Sequence, residues 1–369
     1  MPKYLPRFVF VPAAVSAAPF IAPPAALAVL ALAAFFPPGI ALAVVCALAL
    51  VGAVLSAVHH AEVVAHRVGE PYGSLVLALA ITIIEVALII SLMKSGGWAS
   101  AALARDTLYA TVMIICNGVV GVCLLLGGLR FHEQSFQVAG TGPALAALVA
   151  LSTLSLVMPV FTTSSPEGTY TTAQLVFVAV ASAALWAVFV FVQTVRHRGY
   201  FLPAEGAGDE EVHAPPPSTA SAWLSLALML AGLLAVVGLA KRLAPVIEQA
   251  VAAAGAPKAV VGMAVSLLVL LPETWAAVRA ARANRLQTSL NLALGSAMAS
   301  IGLTVPAVVV AAMWLKLPLL LGLEPKAMAL LAMTFLVSAI TLGSGRTYVM
   351  QGAVHLVVLG AFVFLALVP

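Results

Sequence analysis

Apolar runs of about 20 residues, parted by short polar or Pro/Gly-rich breaks, fill this chain, and that repetition leaves few folds open. A helix rises 1.5 Å per residue, so about 20 residues are needed to cross roughly 30 Å of hydrocarbon. Charged residues occupy 8% of the 369 positions and hydrophobic residues 63%, whereas a soluble domain carries about 25% charge. Transmembrane barrel strands would be shorter and would alternate apolar with polar positions; the runs here are continuous. The expected class is an all-α polytopic membrane protein with about eleven transmembrane helices.

Punctuation between the runs predicts spans over residues 17–36, 39–60, 72–94, 107–129, 142–161, 171–195, 221–243, 257–279, 287–314, 326–343 and 350–368. Lys3 and Arg7 ahead of an apolar stretch imitate a signal peptide, but the run continues to Phe36, past signal length, and predicts a retained helix. Pro12, Pro19, Pro23 and Pro24 oppose a regular start to it. The longest polar break, Arg196 to Ser221, holds Asp209-Glu210-Glu211 and Pro215-Pro216-Pro217 and reads as a flexible linker. The organisation expected is an extra N-terminal helix (1–38), a first five-helix repeat (39–195), a polar linker (196–220) and a second five-helix repeat (221–369). Because five is odd, the two repeats enter the membrane from opposite sides, the arithmetic of an inverted-topology repeat with an ion site between its halves.

Cation placement sets the expected orientation. With a cytoplasmic N terminus, nine of the eleven arginines fall inside, among them Arg67, Arg130, Arg196, Arg279, Arg282, Arg285 and Arg346. That bias favours an N terminus inside and a C terminus outside. The net charge of +4 does not point to nucleic acid, since the cations are scattered over loops rather than gathered on one face. Cys46, Cys116 and Cys123 lie in apolar runs without zinc or redox spacing and read as packing residues. The partners expected are the bilayer and the ions that cross it, with no cofactor and no protein partner legible.

Two carboxylates, Glu85 and Glu273, stand deep inside apolar runs, while the other eleven acids lie at span ends or in loops. An intramembrane carboxylate costs at least a few kcal/mol and marks an ion or proton site by default. Each Glu occupies the second span of its five-span group, and two of them together suit a divalent charge. Hard cations take oxygen ligands, carboxylates supplying charge and hydroxyls or carbonyls completing the shell. Thr82 lies one turn before Glu85 on the same face, although its hydroxyl has the alternative of bonding its own helix. Pro272 withholds a bond from the carbonyl of Leu268, freeing an oxygen close to Glu273. Asn291 and Ser296 open a span rich in small residues, which either permits close packing or lends ligands to the shell. Glu70, before the Glu85 helix, is a first-turn acid or an ion-access residue. Offsets of three, four and seven place much of the set His59, His60, Glu62 and His66 on one face of a helix end, where His60 and His66 are candidates for proton relay. His355, inside the last span, receives no role.

Several motifs carry a family resemblance: His59-His60 through Gly69-Glu70-Pro71-Tyr72-Gly73, Thr82-Ile83-Ile84-Glu85, Arg105-Asp106-Thr107-Leu108-Tyr109, and Gly127-Gly128 before Glu133-Gln134. The second half adds Pro272-Glu273, Asn284 and Asn291-Leu292-Ala293-Leu294-Gly295-Ser296. Together they resemble the calcium/cation antiporter superfamily, most closely its bacterial calcium/proton antiporters. The resemblance implies an exchange fold with an extra first helix, two inverted five-helix repeats, one acidic ion-site residue per repeat at Glu85 and Glu273, and residence in the bacterial inner membrane. Many relatives place Asn three residues before each Glu, where this chain has Thr82 and Leu270, so the cation shell differs. Some bacterial relatives exchange Na⁺ or K⁺ for protons instead.

Proton coupling also follows from charge alone. Two carboxylates in a dry site require neutralisation, and one Ca²⁺ or two protons do it equally. If the empty dianion is excluded from the transition between faces, exchange becomes obligatory. Export of Ca²⁺ against H⁺ is the expected activity, with Na⁺/H⁺ or K⁺/H⁺ exchange as the alternative. A passive cation channel and an intramembrane metal-dependent enzyme are the competing classes, and the latter lacks a paired catalytic constellation.

Overall fold

The computed structural model describes residues 13–36, 39–69, 72–166, 168–201, 217–253, 255 and 257–368. Eleven helices run through it: α1 (Ala13–Ala33), α2 (Ile40–Val68), α3 (Tyr72–Gly96), α4 (Leu103–Phe131), α5 (Val138–Phe161), α6 (Thr172–Arg196), α7 (Thr219–Ala253), α8 (Ala259–Arg282), α9 (Leu286–Leu315), α10 (Pro325–Gly343) and α11 (Val349–Leu367). Ten of them are long and apolar enough to cross a bilayer, and α1 contributes a shorter apolar stretch, Ala17–Ala33. The protein is an all-α polytopic membrane protein. Each predicted span has its helix, and the largest difference is α7, which runs to Ala253 although its apolar run stops near residue 243.

Three prolines stay inside α1. Pro23 has no N–H to give the carbonyl of Pro19, and that carbonyl accepts instead from Ser56 Oγ (2.6 Å) and His60 Nε2 (3.0 Å) on α2. The lost helical bond becomes a tie between helices. With Nε2 donating, His60 Nδ1 is left to accept from Ser225 Oγ of α7 at 3.2 Å, so one fully buried imidazole joins α1, α2 and α7.

Loop contacts sort the helix ends into two faces. At one face, Leu320 N–H donates to Ala101 O, Gly322 N–H donates to Gly168 O, and Arg105 reaches Gly322 O. At the other, β1 (Gln134–Ser135) pairs antiparallel with β2 (Arg346–Thr347), Gln134 donates to Asn284, and Arg67 donates to Thr219. Successive loops alternate faces, so α2 and α7 start at opposite ends of the molecule. Packing is reciprocal as well. α3 lies on α9 while α8 lies on α4, and α6 lies on α9 while α11 lies on α4. Glycines permit the close crossings: a Cβ on Gly302 of α9 would strike Trp186 of α6, and one on Gly262 of α8 would strike the backbone of α4 at Asp106 and Thr107.

The segment expected as a flexible linker begins ordered. Arg198–Phe201 form a 3₁₀ turn, Asn291 donates to Phe201 O, and Phe201 packs edge-on against Phe189. The acidic and proline runs at 209–211 and 215–216 lie outside the described residues.

Candidate functional site

Glu85 sits at the middle of α3 and is 1% exposed. Its Oε2 accepts hydrogen bonds from Ser300 Oγ (3.0 Å) and Thr304 Oγ1 (2.9 Å) of α9. A carboxylate from the first half of the chain is therefore held by hydroxyls from the second. Glu273, in the second half of α8, lies beside Ser296, again on α9, and within electrostatic range of Glu85. Its Oε2 is buried and has no hydrogen-bond partner among the described residues.

The geometry of α9 explains the arrangement. Residues 296, 300 and 304 are spaced by four and share one helical face, so the face whose Ser300 and Thr304 hydroxyls bond Glu85 also carries Ser296 past Glu273. Ser300 and Thr304 were missed in the sequence, although that spacing from Ser296 was a usable signal. A cavity of about 170 Å³ beside Glu273 is lined by Thr82, Asn291, Ser296 and Ser300, and walled by Trp186 and Phe189 of α6. Carboxylate and hydroxyl oxygens converge here without sulfur or imidazole, a donor set for protons and hard cations. No cluster of three or more His, Cys, Asp or Glu suited to a resident metal occurs among the described residues.

The other expected residues take varied positions. Thr82 lines the cavity but donates its hydroxyl to Ala78 O at 2.8 Å, the bond within its own helix. Asn291 lines it too, yet both ends of its amide are engaged, one by Gln287 and the other on Phe201 O. α8 continues through Pro272, and the Leu268 side chain packs with the cluster around α2, α3 and α7. His60 is committed to the α1–α2–α7 junction, and His66 is exposed at the end of α2. Glu70 lies outside the described residues. Beside Pro272 a larger groove, about 530 Å³, opens between α2 and α8 and is lined by His59, Glu62, Arg279 and Arg285.

The family model described as sodium/calcium exchanger protein matches residues 38–195 and 224–368. The relative y4hA from Sinorhizobium fredii (strain NBRC 101917 / NGR234) is 48% identical over 324 residues, covering 87% of each chain. The sodium-potassium/proton antiporter ChaA of Escherichia coli (strain K12) is 38% identical over 321 residues, 85% of this chain and 86% of that one. Among solved structures, the Ca²⁺/H⁺ antiporter protein YfkE superposes with a TM-score of 0.69 at 13% identity, covering 95% of this chain and 99% of the other. At that identity the likeness is one of fold.

Proposed function

The chain belongs to the sodium/calcium exchanger protein family, a family of transporters rather than enzymes, and we propose that it exports Ca²⁺ in exchange for H⁺ by alternating access. The observation that carries the proposal is the pair of intramembrane carboxylates, Glu85 and Glu273, joined by the hydroxyls of one helix from opposite halves of the chain. Desolvation makes the empty dianion costly, and a single Ca²⁺ or two protons relieve it. Loaded states of either kind cross between faces while the empty one does not, which couples the two fluxes.

In this reading residues 39–195 and 221–369 are two inverted five-helix repeats, with the N terminus cytoplasmic and the C terminus outside. Support comes from the family match in two stretches, the opposite starting ends of α2 and α7, and the reciprocal packing of α3 on α9 and α8 on α4. The arginine-rich loop face is then the cytoplasmic one. A monovalent substrate is the second reading, favoured by the 38% identity to a sodium-potassium/proton antiporter. In that case one Glu stays protonated while the other accompanies Na⁺ or K⁺.

Purified protein in sealed vesicles, under one imposed pH gradient, decides among Ca²⁺, Na⁺ and K⁺. Ca²⁺ movement that collapses with the gradient is expected, and Glu85→Gln or Glu273→Gln should each abolish it without loss of folded protein. Cation flux without proton counter-movement would mark a channel and overturn the proposal, as would full exchange in both variants.

A further inference from the structure

A groove of about 460 Å³ between α1, α2 and α7 lies apart from the carboxylates. Leu30 of α1 and Leu42, Ala43 and Cys46 of α2 form its walls, and Lys241 and Arg242 of α7 stand at its rim. Its floor exists because Gly238 of α7 has no side chain. A Cβ there would collide with Leu30 and hold α1 away.

The two cations are exposed, and neither forms an ion pair among the described residues. Arg242 also lies within electrostatic range of Cys46, so its charge reaches the groove itself. Depth is set by α7. Thr219 meets Arg67 at one face of the molecule, and Lys241 stands about 33 Å farther along the helix at 1.5 Å per residue. Hydrocarbon is about 30 Å thick, which brings Lys241 and Arg242 to the headgroup level of the opposite face. Phe35, Phe36 and Ile40 are exposed at the same end, where Phe36 joins Lys241 and Arg242 in lining the groove and adds apolar surface suited to acyl chains.

An apolar trough at acyl-chain depth, capped by two adjacent cations at phosphate depth, is complementary to one class of molecule. A phosphodiester accepts from an ammonium and a guanidinium together, while its acyl chain fills the trough. A zwitterionic lipid would leave positive charge at the rim uncompensated. We propose that this groove binds an anionic phospholipid, its phosphate held by Lys241 and Arg242 and one acyl chain lying against Leu30, Leu42 and Cys46. The bound lipid fastens α1 to the α2–α7 pair, and the inference is independent of which cation is transported.

Native mass spectrometry of the detergent-purified protein, offered phosphatidylglycerol and phosphatidylcholine with identical acyl chains, tests it. Wild type should retain phosphatidylglycerol with a preference of about tenfold or more, because each basic side chain contributes about a fivefold gain near an anionic headgroup. The double variant Lys241→Gln/Arg242→Gln should lose that preference while unfolding at an unchanged temperature in phosphatidylcholine. Ala43→Phe, which narrows the trough and keeps both cations, should reduce phosphatidylglycerol retention and guards against a double variant that fails to fold. Equal retention of the two lipids by wild type, or retention unaffected by Ala43→Phe, would overturn the proposal. So would protection against thermal unfolding by inorganic phosphate equal to that given by phosphatidylglycerol.

Discussion

At the scale of single residues, Glu85 and Glu273 differ in how they are held. Glu85 receives two hydroxyl bonds onto one oxygen, whereas Glu273 keeps a buried oxygen without a partner among the described residues. A hydrogen bond to a charged group contributes about 1.5–3 kcal/mol. If Glu85 binds the transported cation as proposed, Ser300→Ala with Thr304→Ala is expected to raise the apparent KM for that cation by about tenfold or more in vesicle exchange assays, since both donors to its carboxylate are removed. His355 holds a second buried polar network, away from the carboxylates. Its Nδ1 donates to Asn117 Oδ1 (3.3 Å), its Nε2 accepts from Thr341 (3.1 Å), and Asn117 in turn donates to Thr334 (2.9 Å). This fully paired network joins α4, α10 and α11. His355→Leu should orphan Asn117 and Thr341 and lower stability by about 1–3 kcal/mol, read as an earlier thermal unfolding transition. The two glutamates were legible in the sequence because charge in an apolar run is anomalous. Ser300 and Thr304 were not singled out, because hydroxyls in a membrane helix ordinarily bond their own backbone, as Thr82 and Thr107 do here.

At the scale of elements, all eleven helices were legible because hydropathy alone demands them. Their partners were not, since packing depends on small residues whose neighbours a single sequence does not reveal. Gly262 illustrates the gap. A Cβ at that position would approach the α4 backbone at Asp106 and Thr107 more closely than real contacts allow, and backbone cannot swing aside as a flexible side chain does. The same crossing carries Ser266 of α8, which donates to Thr107 O at 2.7 Å and accepts from Thr111 at 3.1 Å. Gly262→Ala should thus separate α8 from α4, costing about 1–3 kcal/mol by overpacking. Gly343, at the end of α10, has nothing within reach of an added Cβ. Gly343→Ala is the matched control, and it should leave the unfolding temperature of the purified protein unchanged. The α1 helix departs from simple propensity, because its prolines free a carbonyl that α2 then uses. Sequence rules see the broken bond but not its replacement.

At the scale of the whole molecule, the alternation of loops between two faces turns a list of helices into a testable topology. The loop carrying Ser164 belongs to the face where Gly168 meets Gly322, and the loop carrying Glu133 belongs to the face where β1 meets β2. If the arginine-rich face is cytoplasmic, these two positions lie on opposite sides of the membrane, Ser164 outside and Glu133 inside. Both are exposed, so a cysteine at either is open to reagent, whereas the three native cysteines are buried. Glu133 also forms an exposed ion pair with Arg346 at 3.4 Å, a contact that contributes about 0–1 kcal/mol, so replacing it should leave the fold intact. In intact cells, a membrane-impermeant maleimide should label Ser164→Cys and spare Glu133→Cys, and permeabilisation should expose the second. The opposite pattern would reverse the orientation while leaving the alternation standing. Labelling of both positions in intact cells would break the alternation and, with it, the inverted relation proposed for residues 39–195 and 221–369.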